Sequence, residues 1–330
     1  MIMRGNILSI DHLNCLTVDV EDYFQVSAFA DRVSRHDWDR YTSRVQANTN
    51  RLLSIFDSAQ VLGTFFVLGW VAERYPALVR RIAEAGHEIA SHGYWHQLVY
   101  DLEPKEFEAD IVASREAIFN ACGVEVSMYR APSFSIVPRS RWALDILVAN
   151  GFKVDSSIFP IAGHDRYGDP DAPRSIHTIE TTHGTIVEFP PTSGGVGRLP
   201  IPIGGGYFRL LPLRLTQFAI NQVNKKVSPA MIYLHPWEID PDQPRIGGVS
   251  KKSYFRHYTG LRNTEAKLQE LLKTNRFSTV SNVLKSQSSV RVSTHSPTPD
   301  RKSGSRRNNT TAIPSQLPPS QPSPLPMAGG

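Results

Sequence analysis

Apolar blocks recur along the chain with two different periods. Residues 14–20 (NCLTVDV), 61–67 (VLGTFFV) and 87–91 are short, apolar and bounded by polar breaks, which predicts strands. Residues 128–130, 153–155, 185–189 and 231–234 read the same way. Between them, residues 49–59 put Leu52, Leu53 and Phe56 on one helical face, and residues 75–85, 106–121 and 140–150 continue the series. Pro76 suits a first helical turn, and Gly86 and Gly151 suit positions just past helix ends. A last helix is predicted over 265–272. Strand and helix in regular alternation predict an α/β fold of parallel strands with helical crossovers. In a barrel of this kind the loops at the C-terminal strand ends build the active site.

The texture changes from about Gly163 onwards. Residues 194–212 (GGVGRLPIPIGGGYFRLLP) predict a long loop, with Tyr207 and Phe208 either covering a groove or anchoring the loop. Residues 286–330 are rich in Ser and Pro and hold no Phe, Trp or Tyr. Such a segment buries too little apolar area to offset its ordering entropy and is predicted to be disordered.

Composition narrows the class. Hydrophobic residues are 40% and charged residues 20% of the 330, as in a soluble globular enzyme. The net charge of +5 suggests nucleic acid, but its location removes the suggestion. The tail carries Arg291, Arg301, Lys302, Arg306 and Arg307 against Asp300 alone, so the rest of the chain is nearly neutral and no basic groove is expected. Cys15 and Cys122 stand far apart and in no CxxC pattern; Cys15 reads as core. The N-terminal stretch lacks an unbroken apolar region and a small-residue cleavage site. No segment reaches the roughly 20 apolar residues of a membrane helix. The expected location is the cytoplasm, or the inner face of the membrane through a partner.

Five groups of residues carry candidate chemistry. SHGYWH (91–96) sets His92 and His96 four apart, and on a helical turn both rings would face one metal. A partly exposed helix start would give the same pair. TVDVEDYF (17–24) crowds Asp19, Glu21 and Asp22 after an apolar strand, where a divalent cation would relieve their repulsion. A solvated acidic turn is the plainer reading. YRAPSFS (129–135) offers Arg130 as a partner for a carboxylate, unless it forms an ordinary salt bridge. VDSSIFP places Asp155 at another strand end, and MIYLHPWEID places His235 after an apolar strand.

The order of these motifs resembles that of the NodB-type polysaccharide deacetylases, carbohydrate esterase family 4, over about residues 14–285. VDVEDYFQV, YRAPSFSI, DSSIFP, GGGYFRLLP and LHPWEIDPDQPR resemble the subgroup encoded with exosortase-linked exopolysaccharide loci, which carries a C-terminal extension. The resemblance implies a distorted (β/α)7 barrel: residues 1–160 as its core, 161–285 as its remainder with the extension, and 286–330 as the tail. It implies that Asp19 is the general base, oriented by Arg130. It implies that His235 is the general acid, tuned by Asp155, and that His92 and His96 bind a divalent ion, zinc by default for these ligands. One departure matters. The family places two aspartates side by side, and here Val20 follows Asp19. The acidic ligand is then Asp22 or Glu21, with Asp22 preferred for its short side chain.

The implied substrate is an N-acetylated polysaccharide, with exopolysaccharide machinery as a partner and Tyr207 and Phe208 as sugar-stacking candidates. Two rivals remain: hydrolysis of small cyclic amides, as in allantoinase-like relatives, and carbohydrate binding without catalysis.

Overall fold

Short strands that are apolar on both faces are what a parallel sheet covered by helices requires. The computed structural model describes residues 12–162, 167–196, 199–226 and 228–293. The strands are β1 (Leu13–Val20), β2 (Thr64–Val67), β3 (Glu88–Ser91), β4 (Met128–Tyr129), β5 (Val154–Asp155), β6 (His177–Thr181), β7 (Gly184–Glu188), β8 (Ser193–Val196), β9 (Leu199–Pro202), β10 (Met231–Leu234) and β11 (Arg276–Ser278). The helices are α1 (Val45–Ser58), α2 (Gly69–Arg74), α3 (Pro76–Glu84), α4 (Pro104–Cys122), α5 (Ala143–Ala149), α6 (Gly205–Leu210), α7 (Leu213–Asn224), α8 (Lys251–Tyr258), α9 (Leu261–Thr274) and α10 (Val280–Ser293).

Strands β10, β1, β2, β3, β4, β5 and β7 lie side by side in that order, all parallel. This is the distorted (β/α)7 barrel expected. β6 adds an antiparallel edge to β7, and β11 runs beside the start of β1, ahead of β2. Among the described residues the strand ladder does not run from β7 to β10. Thr192 bridges that seam instead, its hydroxyl accepting from the Met231 N–H at 2.7 Å.

Side chains alternate across each strand, and the parallel registers line up which ones face inward. Thr17 pairs with Thr64 and Tyr233, Ser91 with Tyr129, Tyr129 with Asp155, and Asp155 with Glu188. One set, Cys15, Phe66, Ala90, Met128, Phe189 and Met231, forms the barrel interior. The opposite set, including Leu16, Val18, Val20, Phe65, Val67, Ile89, Ile232 and Leu234, packs against the helices in the main core. Helix α4 shows how a helix joins: Phe107, Ile111, Ser114, Ile118 and Ala121 form one buried stripe at spacings of three and four, under a capping box at Glu103 and Glu106. Gly123, at φ 72°, ends it.

Two expectations change. The 194–212 segment is not a long loop: it forms the β8–β9 hairpin and α6, and Phe208 is core. Its glycines serve close packing, since a Cβ on Gly204 would lie 2.2 Å from the Tyr233 ring. Helix α10 runs through Ser293, into the segment expected to be disordered, and the remainder of that segment lies outside the described residues. No described helix is long and apolar enough to cross a membrane.

Candidate functional site

The inward side chains at the C-terminal strand ends meet above the barrel interior. Asp19, at the end of β1, is buried, and its Oδ1 accepts from Arg130 Nη1 at 2.6 Å. Arg130 follows β4 and is fully buried. It also donates to Thr17 Oγ1 at 2.9 Å and Ser156 Oγ at 3.0 Å, and its guanidinium lies 4.1 Å from the centre of the Phe66 ring. A cation fixed on four sides holds Asp19 in one orientation.

Glu21, His92 and His96 converge. One ligand atom from each lies within 4.8 Å of the others, and all three residues are buried. His92 Nδ1 lies 2.8 Å from the Arg130 carbonyl oxygen. A carbonyl can only accept, so Nδ1 carries the proton and Nε2 is left as a lone-pair donor. Burial, with His96 beside it, pushes the His92 pKa well down, which keeps the ring neutral. His96 Nε2 lies 2.5 Å from Glu21 Oε2. Burial works against charge on Glu21, but His96 and His235 outweigh it and bring its pKa to about 2. The other Glu21 oxygen accepts from the Trp237 indole N–H at 3.1 Å.

The donor set fits a divalent cation. One carboxylate and two imidazoles are ligands that zinc and its neighbours accept. His96 Nδ1 is buried with no hydrogen-bond partner, so the ring is not held by protein contacts at both nitrogens.

Asp22, preferred from the sequence as the acidic ligand, is turned away. Its Oδ2 accepts from Ser43 Oγ at 2.7 Å and from the N–H groups of Arg44 and Val45 at 2.8 and 3.1 Å. It caps the start of α1. Past the end of β1, Glu21 turns towards the cavity beside Asp19, whereas Asp22 turns towards the start of α1.

The HxxxH pair is not on a helical turn either. Residues 92–98 form a loop, with Gly93 at φ 73° and His96 at φ 52°. Asp110, from α4, accepts from the N–H groups of Tyr94 and Trp95 at 2.8 and 3.0 Å and holds the loop in shape.

His235 follows β10. Its Nε2 lies 3.9 Å from Asp19 Oδ2 and 3.7 Å from Glu21 Oε1. Its Nδ1 lies 3.1 Å from Glu238 Oε2, which also accepts the His235 backbone N–H at 3.0 Å. Burial opposes charge on His235, but Glu21 and Glu238 prevail and push its pKa up to about 9. Glu238 is fully buried, and its other oxygen accepts from Arg209 Nε at 2.7 Å. Arg209, on α6, is fixed in turn by the carbonyls of Arg256, His257 and Thr259.

Asp155, expected to tune His235, faces away from it. It lies on the outward side of β5, where Ser157 Oγ donates to it at 2.5 Å and Glu188 is its register partner. Both carboxyls are buried. Burial, with Asp155 adding to it, pushes the Glu188 pKa well up, so Glu188 keeps the proton. A carboxyl whose pKa rises on folding contributes stability that declines as pH climbs above the ordinary carboxyl range, by up to about 1.4 kcal/mol per pH unit for one proton. Glu188→Gln, which cannot lose that proton, is expected to flatten the decline in urea unfolding free energy between pH 5 and 8.

The matches with known proteins fall on the two halves of this barrel. Residues 37–152 match the family model "Polysaccharide deacetylase". Over that segment the chain is similar to polysaccharide deacetylases. Residues 156–285 match a domain of unknown function, DUF3473. A peptidoglycan-N-acetylglucosamine deacetylase of Bacillus cereus is 31% identical over 98 residues, covering 29% of this chain and 36% of the relative. A chitooligosaccharide deacetylase of a Bradyrhizobium species is 28% identical over 102 residues, covering 31% and 44%. The chain thus spans less than half the length of these curated relatives. A crystallised Mycobacterium smegmatis protein assigned as a polysaccharide deacetylase covers 89% of this chain and 96% of its own at TM-score 0.55 and 23% identity, a likeness of fold.

His92, His96 and Arg130 lie inside the matched deacetylase segment, while Asp19 and Glu21 precede it. Arg209, Tyr233, His235, Trp237 and Glu238 lie in the DUF3473 segment. Sequence reasoning missed Glu238 and Arg209. The spacing of His235 and Glu238 around Pro236, a capping box, was a local signal for the first. Arg209 lies 29 residues from Glu238, and no local pattern announces that contact.

Proposed function

We propose that the protein is a metal-dependent polysaccharide deacetylase that hydrolyses N-acetyl groups of hexosamine residues. The observation that carries this reading is the placement of two differently held groups around one cluster. Asp19, pinned by Arg130, and His235, held by Glu238, both face the cavity lined by Glu21, His92 and His96. A carboxylate base and an imidazolium acid on one reacting amide are what hydrolysis of an amide with a basic leaving group needs.

Glu21, His92 and His96 would hold a divalent ion, zinc by default. Once bound, it supplies Lewis-acid polarisation of the acetyl carbonyl and of the attacking water. Asp19 Oδ2, the oxygen not engaged by Arg130 Nη1, takes the proton from that water as its oxygen adds to the carbonyl carbon. His235 Nε2 then gives its proton to the nitrogen as the C–N bond breaks. The products are acetate and the free amine of the sugar. Glu238 keeps the His235 ring turned with Nε2 towards the site.

The deacetylase domain alone lacks His235 and Glu238. We therefore read residues 156–285 as the second half of the barrel, a reading supported by β10 pairing with β1 and β7 with β5. The relatives named for peptidoglycan and chitooligosaccharides support an N-acetylated glycan as substrate. The motifs shared with exosortase-linked loci support an exopolysaccharide or its precursor.

Acetate release tests the reading. The purified protein, assayed on N-acetylated glycans and on small cyclic amides, is expected to release acetate from the former alone. Turnover of the cyclic amides, or sugar binding with no acetate, would favour one of the two rivals. A second expectation concerns the loop that presents His96. Asp110→Ala leaves two backbone N–H groups unpaired and should weaken metal affinity about tenfold or more, measured by competition with a chelating dye.

A further inference from the structure

The DUF3473 segment contains one tryptophan, Trp237, and both its edge and its ring are engaged at the site. It stands two residues after His235, in the turn that follows β10, and is buried. Its indole N–H donates to Glu21 Oε1 at 3.1 Å. Its ring stacks on the His235 imidazole, with centres 5.1 Å apart and planes 20° apart. It stacks on His257 as well, at 4.2 Å and 16°.

The indole is itself held. Gln243 Nε2 donates to the carbonyls of Trp237 and Asp240 at 2.8 and 2.9 Å. Carbonyls only accept, so the other amide atom, Oε1, takes the His257 Nε2–H at 2.7 Å. The Arg209 guanidinium lies 5.2 Å from the centre of the Trp237 ring. Gln243, His257 and Arg209 are all buried, so the indole sits in a packed, hydrogen-bonded frame rather than a loose pocket.

That frame gives the two Glu21 oxygens different roles. Oε1 accepts the indole N–H. Oε2 is buried with no hydrogen-bond partner and lies beside His96 Nε2. A buried carboxylate oxygen without a donor is costly unless a cation takes it. A glutamate also has one more torsion to fix than an aspartate, and the indole hydrogen bond removes that freedom.

We propose that Trp237 is a positioning residue for both halves of the chemistry. Its N–H holds Glu21 by one oxygen and leaves the other for the ion, and its ring sets the plane of His235. The inference rests on the metal-site part of the deacetylase reading, and it gives the DUF3473 half of the barrel a share in ion binding.

Zinc affinity, measured by competition with a chelating dye, and kcat at saturating zinc test it. Trp237→Phe keeps an aromatic face but lacks the N–H, and should weaken zinc binding about tenfold or more. Trp237→Leu lacks the ring too, and its kcat should lie about tenfold below that of Trp237→Phe, because His235 is no longer held in plane. A cycle with Glu21→Asp separates positioning from packing. The shorter carboxylate withdraws from the indole, so on that background Trp237→Phe should change zinc affinity by no more than about threefold. Unchanged zinc affinity in Trp237→Phe overturns the inference while leaving the deacetylase reading intact. An equal loss on both backgrounds also overturns it, since Trp237 would then act through packing alone. A wild type that binds no zinc sinks the metal site and this inference together.

Discussion

Glu21→Ala is expected to leave the protein folded, strip it of its divalent ion and lower acetate release by about a thousandfold or more. The Lewis acid is worth several kcal/mol of barrier, and each 1.36 kcal/mol is tenfold in rate, which sets that scale. Glu21 is the carboxylate within reach of both His92 and His96, and Asp22 is committed to Ser43, Arg44 and Val45. Asp22→Ala is the informative contrast. It should retain full metal stoichiometry while losing about 1–2 kcal/mol of stability, the usual scale for a lost helix cap. Metal analysis, acetate release and thermal melting on both variants separate the two roles. Metal loss in Asp22→Ala with retention in Glu21→Ala would reverse the assignment.

The second large effect lies across the cavity. His235→Ala should reduce kcat by about a hundredfold to ten-thousandfold, the range for removing a general acid. Glu238→Gln should cost at least tenfold in kcat, because the ring loses the charge that orients and protonates it. Glu21 and Glu238 together push the His235 pKa up to about 9 against burial. Removing the Glu238 charge lowers that value, so the protonated acid is lost at a lower pH. The alkaline limb of the kcat profile should move towards neutrality in Glu238→Gln. Asp155→Asn should leave that limb in place, since Asp155 accepts from Ser157 and sits beside its register partner Glu188 on the outward face of β5. An alkaline limb that shifts with Asp155 and not with Glu238 would restore the partner implied by family resemblance.

Much of this site was legible as periodicity. The strands, the crossovers and the positions of Asp19, His92, Arg130 and His235 at strand ends all follow from apolar runs and their polar breaks. Of the two misassigned acids, Asp155 was legible by the same rule applied one step further. Asp19 faces inward from β1, and just past its end Glu21 turns to the same cavity and Asp22 to α1. Along β5 strand parity sends Ser156 inward to Arg130 and Asp155 outward to Glu188. Family analogy favoured short side chains and the familiar aspartate, and local geometry overrode it.

The rest depended on contacts that no local pattern encodes. The His96 loop is shaped by Asp110 on a following helix. The Glu238–Arg209 pair joins a turn after β10 to a helix 29 residues earlier. The glycine run before Tyr207 reads as flexible in isolation, yet it is what lets Tyr233 pack against the backbone of Gly204 and Gly205.

Diffraction from the metal-loaded protein at the absorption edge of the bound ion tests the central assignment most directly. The account predicts one anomalous peak at about 2.0–2.2 Å from a Glu21 oxygen and from one nitrogen each of His92 and His96, with Asp22 still capping α1. An ion coordinated by Asp22, or no ion between the two histidines, would contradict it.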